Sequence, residues 1–152
     1  MSQTNSHDAS ELLNRLLVRI YRGLLQYSVD CWPWTDAEES AEKRGLERMA
    51  EAQRREVGRL VDTLTARGLV VDFGNYPDDS DLHYVSLDYL LGKLVADEEA
   101  IVLELQAAQS EAAHDTVASR LVADLLKLEK EHVSQLRELA KHATPATKSS
   151  AK

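Results

Sequence analysis

Apolar residues recur at three- and four-residue steps through four separate stretches, the signature of amphipathic helices. The first stretch spans roughly Asp8 to Trp32, with Leu13, Leu16, Leu17, Ile20, Leu24, Tyr27 and Cys31 on one seam. Asp8 with Glu11 reads as a capping box at its start. Pro33 ends it, because the residue before a proline is pushed out of the helical region. The second runs from about Asp36, with Thr35 and Glu38 as its capping box, to Ala66. Its seam is Leu46, Met49, Val57, Leu60, Val61 and Leu64, and Gly68 is its stop. The third begins near Leu87, with Ser86 as N-cap, and continues to about Ala113. The fourth starts after Asp115 and ends near His142, with Leu121, Leu125, Leu128, His132, Leu136 and Leu139 on its seam.

Link lengths then predict how these helices are connected. A few residues around Pro33 join the first two, and a few around His114 and Asp115 join the last two. Short links make antiparallel neighbours. Between the second and third lie about 18 residues, Leu69 to Ser86, including Gly74, Pro77 and a run of aspartates. At roughly 3.3 Å per extended residue, that chain can travel the length of a bundle. Short, long, short predicts an all-α antiparallel four-helix bundle of the ferritin-like kind, with one long crossover between the second and third helices. The alternative is a plain up-and-down bundle with a loose middle loop. Residues 1–7 and 143–152 are polar and are expected to be disordered, leaving residues 8–142 as one bundle domain.

Composition narrows the function more than it identifies it. The chain of 152 residues is long enough for one domain with a sizeable core. It carries 18 basic and 26 acidic residues, a net charge of −8, which argues against nucleic acid as a partner. No apolar run approaches the roughly 20 residues that span a bilayer, so no membrane partner is expected. The polar start, Met1 to Ser10, has no apolar segment of the signal-peptide kind. Cys31 is the lone cysteine and has no internal partner for a disulfide. These features fit a cytoplasmic protein. Cys31 on the first seam is expected to be a buried small hydrophobe, and Trp32 and Trp34 an aromatic lid at the end of the core.

The residues best suited to chemistry are Glu129 and His132 in the run Glu129-Lys130-Glu131-His132. Three positions apart, they share a helix face, and carboxylate with imidazole suits iron, manganese or zinc. Such pairs also occur by chance on exposed helices. Here His132 falls on the apolar seam, where a solvated histidine does not belong.

At these residues the chain resembles the bacterioferritin and rubrerythrin-like branch of the ferritin-like superfamily. Leu13-Asn14-Arg15-Leu16-Leu17 with Gln26-Tyr27 has the spacing of that branch's first helix. Asp115-Thr116-Val117 through Glu129-Lys130-Glu131-His132 is similar to its last bundle helix. The segment from Phe73-Gly74-Asn75-Tyr76-Pro77 to Asp88-Tyr89 resembles uncharacterised ferritin-like proteins. The likeness covers roughly Asp8 to Ala140, and it implies a ferritin-like fold and a di-iron centre in the core. The ligands it implies are incomplete. Ile20 stands where the first-helix glutamate belongs. Gln53 and Glu56 stand for the first Glu-x-x-His pair. Ala96 falls at the bridging glutamate, and seam spacing favours the nearby Glu98 as the inward carboxylate. Glu129 and His132 alone are intact, and Arg54 at the haem-ligand methionine implies no haem.

A di-iron centre takes about six protein ligands. The candidates here are four: Glu56, Glu98, Glu129 and His132. They are enough for one iron, manganese or zinc ion. They would serve equally as a metal-free cluster in which a proton or a nearby arginine (Arg19, Arg54 or Arg55) offsets the carboxylates. The expectation is therefore a protein of degenerate di-iron site, not an enzyme, acting as a structural or interaction module. The other readings are a metal-binding protein with a reduced site, in oxidative or iron handling, and an iron-storing cage. A homodimer is expected because Val18, Tyr21, Leu24 and Leu25 widen the first helix's apolar stripe.

Overall fold

The structure, a computed structural model, describes residues 2–34 and 41–150, with side chains over 7–34 and 41–141. Among the described residues it is all helical, with no strand. The helices are α1 (Ser2–Tyr21), α2 (Leu24–Asp30), α3 (Ala41–Ala66), α4 (Leu87–Glu111) and α5 (Thr116–Ser150). A short 3-10 helix, Ser80–Tyr84, interrupts the long segment between α3 and α4. No helix among the described residues is long and apolar enough to cross a membrane.

Several ends are made by the residues that the sequence singles out. Ser86 Oγ accepts from the amide of Tyr89 at the start of α4. Asp115 Oδ1 accepts from the amide of Ala118 at the start of α5. At the end of α3, Gly68 takes φ +77°, Leu69 N–H donates to Leu64 O and Gly68 N–H to Thr65 O. That bonding pattern is the Schellman motif, whose left-handed position favours glycine. The Thr35–Glu38 capping box lies outside the described residues. The helical backbone extends further than the sequence pattern predicts, beginning at Ser2 instead of Asp8 and continuing beyond His142.

The first predicted helix is two. It breaks at Arg22 and Gly23, where Gly23 turns extended (φ −73°, ψ 169°). The side chain of Asp97, reaching from α4, accepts from the amide of Leu24 at 3.0 Å and from Arg19 at 2.8 Å. An acid from a neighbouring helix thus takes the capping role at the start of α2. The break resets the helical phase. The buried face of α1 is Leu13, Leu16, Leu17 and Ile20, whereas that of α2 is Leu25 to Ser28. This shift explains why Cys31 is exposed, contrary to its expected place on the seam. An uninterrupted helix would have carried it inward.

Apolar residues form two clusters. One gathers around Leu13, Leu17, Ile20, Leu60, Leu64, Ile101, Leu105 and Leu125. The other gathers around Leu25, Trp32, Leu46, Met49, Leu90, Leu91, Leu94 and Leu136. Trp32 and Trp34 meet edge to face, 4.8 Å between centroids, and the Trp32 indole donates to Leu82 O. They close the second cluster as the expected lid.

The segment 69–86 lies against α1 and α2. Asn14 bonds Asp72 through both its amide groups, and Arg22 donates to Phe73 O. Phe73 packs edge-on to Tyr21, and Tyr27 Oη lies 2.7 Å from His83 Nε2. The apolar stripe of Val18 and Tyr21 therefore has cover from its own chain. Gly74 is the tightest point, with φ +63° and space for no Cβ, since one would stand 2.5 Å from Val18 Cγ1. Gly74→Ala is expected to destabilise the protein by about 1–2 kcal/mol through the left-handed backbone alone, with the contact adding to it. Urea unfolding of Gly74→Ala with and without Val18→Ala checks this. The second change should recover the contact part only; full recovery would show that the backbone is unstrained.

Candidate metal centre

The two apolar clusters are separated by a polar layer. On α3 the inward positions run Met49, Gln53, Val57; on α4 they run Leu94, Glu98, Ile101; on α5 they run Leu125, Glu129, His132, Leu136. Each helix inserts its polar residue at the seam spacing, so helix periodicity itself brings these side chains to one level. Gln26 joins them from α2. All are withdrawn from water: Gln26, Gln53 and Glu129 are 0% exposed, Glu98 1% and His132 3%.

Glu98, Glu129 and His132 each present a ligand-type atom, and the three atoms lie within 4.8 Å of one another. Two ligands about 2.1 Å from one ion sit roughly 3–4 Å apart, so a small side-chain adjustment would close this set on a single cation. The cluster of Glu98, Glu129 and His132 can hold a metal ion. Glu98 Oε2 and His132 Nδ1 are buried with no hydrogen-bond partner in the structure. His132 Nδ1 does approach Glu129 Oε2, but at 3.5 Å and without hydrogen-bond alignment. Buried polar atoms are satisfied almost everywhere in proteins. Two open ones, on residues of one cluster, are what a cation would need, and an apolar packing role does not account for them.

Electrostatics point the same way. Burial and the neighbouring Glu129 carboxylate hold Glu98 well above the usual glutamate range. Burial also raises Glu129, against hydrogen bonds from Glu98 and Gln53 that lower it. Burial lowers His132 and keeps its imidazole neutral, so a ring nitrogen is free to act as a ligand. Two carboxylates this close in a dry core do not both stay ionised without a cation. In its absence Glu98 holds the proton.

Of the four predicted ligands the structure brings together three. Glu98 is buried, as the seam spacing predicts, whereas Asp97 and Glu99 are half-buried and Ala96 is exposed. Glu56 stands apart. It is half-buried at the edge of α3 and accepts from Arg59 at 2.8 Å, and Arg59 also pairs with Asp124. The inward position on that turn belongs to Gln53, and Val57, four residues on, continues the seam. Ile20 is buried in the first apolar cluster and offers no ligand.

Gln53 has a defined role that its weakness as a ligand obscured. Its Nε2 donates to Glu98 Oε1 at 3.0 Å and to both Glu129 oxygens at 3.0 and 3.1 Å. Its Oε1 accepts from Gln26 Nε2 at 3.0 Å. Gln26 Nε2 also donates to Ala50 O at 2.9 Å, and Arg54 Nε donates to Gln26 Oε1 at 2.8 Å. Arg54 therefore reaches the cluster only through Gln26 and then Gln53, its outer end pairing with Asp30. Gln26 was the residue least visible beforehand. The available signal was a polar side chain beside the first seam with no exposed face to occupy.

No protein-family model matches the chain, and no curated protein sequence is significantly similar to it.

Proposed function

We propose that this protein is a ferritin-like four-helix bundle, α1 and α2 together forming its first helix, whose core binds one divalent metal ion through Glu98, Glu129 and His132. The observation that carries the reading is the pair of open buried atoms, Glu98 Oε2 and His132 Nδ1, in a cluster of ligand-type atoms. Contacts support the bundle. Arg67 bonds Ser10 while Gln53 meets Gln26, so α3 runs opposite to the first helix. Glu99 pairs with Arg137 well along α5, while the Ala112–Asp115 turn joins the end of α4 to the start of α5, so these two run opposite to each other. The segment 69–86 then acts as the crossover.

Three protein ligands fall short of a dinuclear carboxylate centre. Ile20 and Gln53 supply none of what is missing. The role proposed for the ion is structural. It would replace the proton on Glu98, neutralise the buried carboxylates and tie α4 to α5. Iron, manganese and zinc all accept such a mixed oxygen and nitrogen set. A second reading, a metal-free structural module, is favoured by Gln53, whose amide already gives hydrogen bonds to both carboxylates.

Elemental analysis of protein purified without chelators separates the two. The metal reading expects about one equivalent of iron, manganese or zinc per chain, and loss of most of it in His132→Ala with the helical circular dichroism unchanged. Less than about a tenth of an equivalent, with none taken up on adding the ion to metal-free protein, would leave the proton-sharing module.

A further inference from the structure

The amide of Gln53 is polarised by a chain of hydrogen bonds that runs in one direction only. Arg54 carries donors and no acceptor, so the Gln26 atom facing Arg54 Nε must be the oxygen. The Gln26 nitrogen then faces Ala50 O and Gln53 Oε1, both acceptors. Gln53 is left with its nitrogen toward Glu98 and Glu129. The two ends, a guanidinium and a backbone carbonyl, allow no other arrangement. The usual ambiguity between amide oxygen and nitrogen is thereby removed by the chemistry of the neighbours.

The orientation has a consequence for the centre. An amide oxygen is a ligand for hard and borderline cations, whereas an amide nitrogen carrying two protons is not. Resting on the metal-binding reading above, we infer that Gln26 is a positioning residue that keeps the oxygen of Gln53 out of the ligand set and so holds the site to three protein ligands. Turning Gln53 inward in the intact protein would set its NH2 against the NH2 of Gln26 and leave buried donors unpaired. That penalty is large enough to suppress the fourth ligand. Without the Gln26 donor the clash between the two NH2 groups is gone and the unturned Gln53 oxygen has lost its partner, so the balance shifts toward a turned Gln53 that offers its oxygen to the ion.

Gln26→Met tests this, because it removes the donor and keeps the volume and the length of the side chain. Cobalt(II) serves as the probe, read by calorimetry for affinity and by its visible ligand-field absorption for coordination. Gln26→Met is expected to bind cobalt on the order of tenfold more tightly than the parent, with a changed ligand-field spectrum. In a Gln53→Leu background the same substitution should change neither, since no amide remains to turn. A purely structural role for Gln26 would give weaker binding and an unaltered spectrum, and that result overturns the inference. So does a Gln26→Met protein indistinguishable from a parent that binds cobalt. A parent that takes up no cobalt overturns the metal-binding reading itself and this inference with it.

Discussion

Zinc at a thousand times its dissociation constant is expected to stabilise the protein by about 4 kcal/mol, because an ion that binds only the folded state adds its binding free energy to folding. His132→Ala should lose nearly all of that increment. The gain should also depend on pH with a definite sign. In the metal-free protein Glu98 holds a proton, since burial and Glu129 keep its pKa well above the usual range. Its contribution to metal-free stability is fully present below the ordinary glutamate value and is lost as pH rises through the raised one. The ion requires the ionised carboxylate and must expel that proton, so the zinc increment shrinks as pH falls. His132 acts in the opposite sense on the metal-free protein. Its lowered pKa makes its contribution fully present above the ordinary histidine value and lost as pH falls through the depressed one. For the ion this is favourable, because no proton has to leave the imidazole near neutral pH. Calorimetric unfolding at about pH 7.5 and about pH 5.5, with and without zinc, checks both statements. An increment that is unchanged at the lower pH would show that Glu98 is not displaced from its proton and is not a ligand.

The seams account for most of what could be read beforehand. A repeat of three and four residues reports which helix face is buried, so it placed Leu60, Leu64, Leu125 and Leu136 correctly and selected Glu98 from its acidic neighbours. It also exposed His132 as an oddity, because a ring that can be charged stood among leucines. What periodicity cannot report is a change of phase. The break at Gly23 rests on Asp97, a residue far away in sequence that caps α2 from another helix. Nothing near Gly23 announces it, and the exposure of Cys31 followed from it. Glu56 became a candidate only through what the resemblance implies, at the histidine position of the first Glu-x-x-His pair. On α3 the seam runs Met49, Gln53 and Val57, so Glu56 falls at its edge and pairs with Arg59. The Arg54–Gln26–Gln53 chain was illegible because it depends on hydrogen-bond direction among side chains from two helices. A pattern of apolar and polar letters does not encode that.

Gln53→Glu is expected to be the most damaging single change in the layer that leaves its volume intact. The substitution removes the NH2 group that donates to Glu98 and Glu129 and puts a third carboxyl in its place. Three carboxylates in a core without water cannot all ionise, so the new group must keep a proton in the folded metal-free protein. Each pH unit above the ordinary glutamate value then costs about 1.4 kcal/mol, which sets a ceiling near 4 kcal/mol at about pH 7.5. The sign is that of a raised pKa. The loss is small near pH 5 and grows as pH rises. Urea unfolding of the parent and of Gln53→Glu at both pH values measures it directly. Zinc should reverse much of the loss at the higher pH, because the added carboxylate then ionises beside a cation and gives the ion a fourth ligand. Equal stability of the two metal-free proteins at about pH 7.5 would mean that the amide is not what holds the paired carboxylates in the core. Loss of stability at both pH values, with no response to zinc, would assign the damage to packing and remove the electrostatic account of the layer.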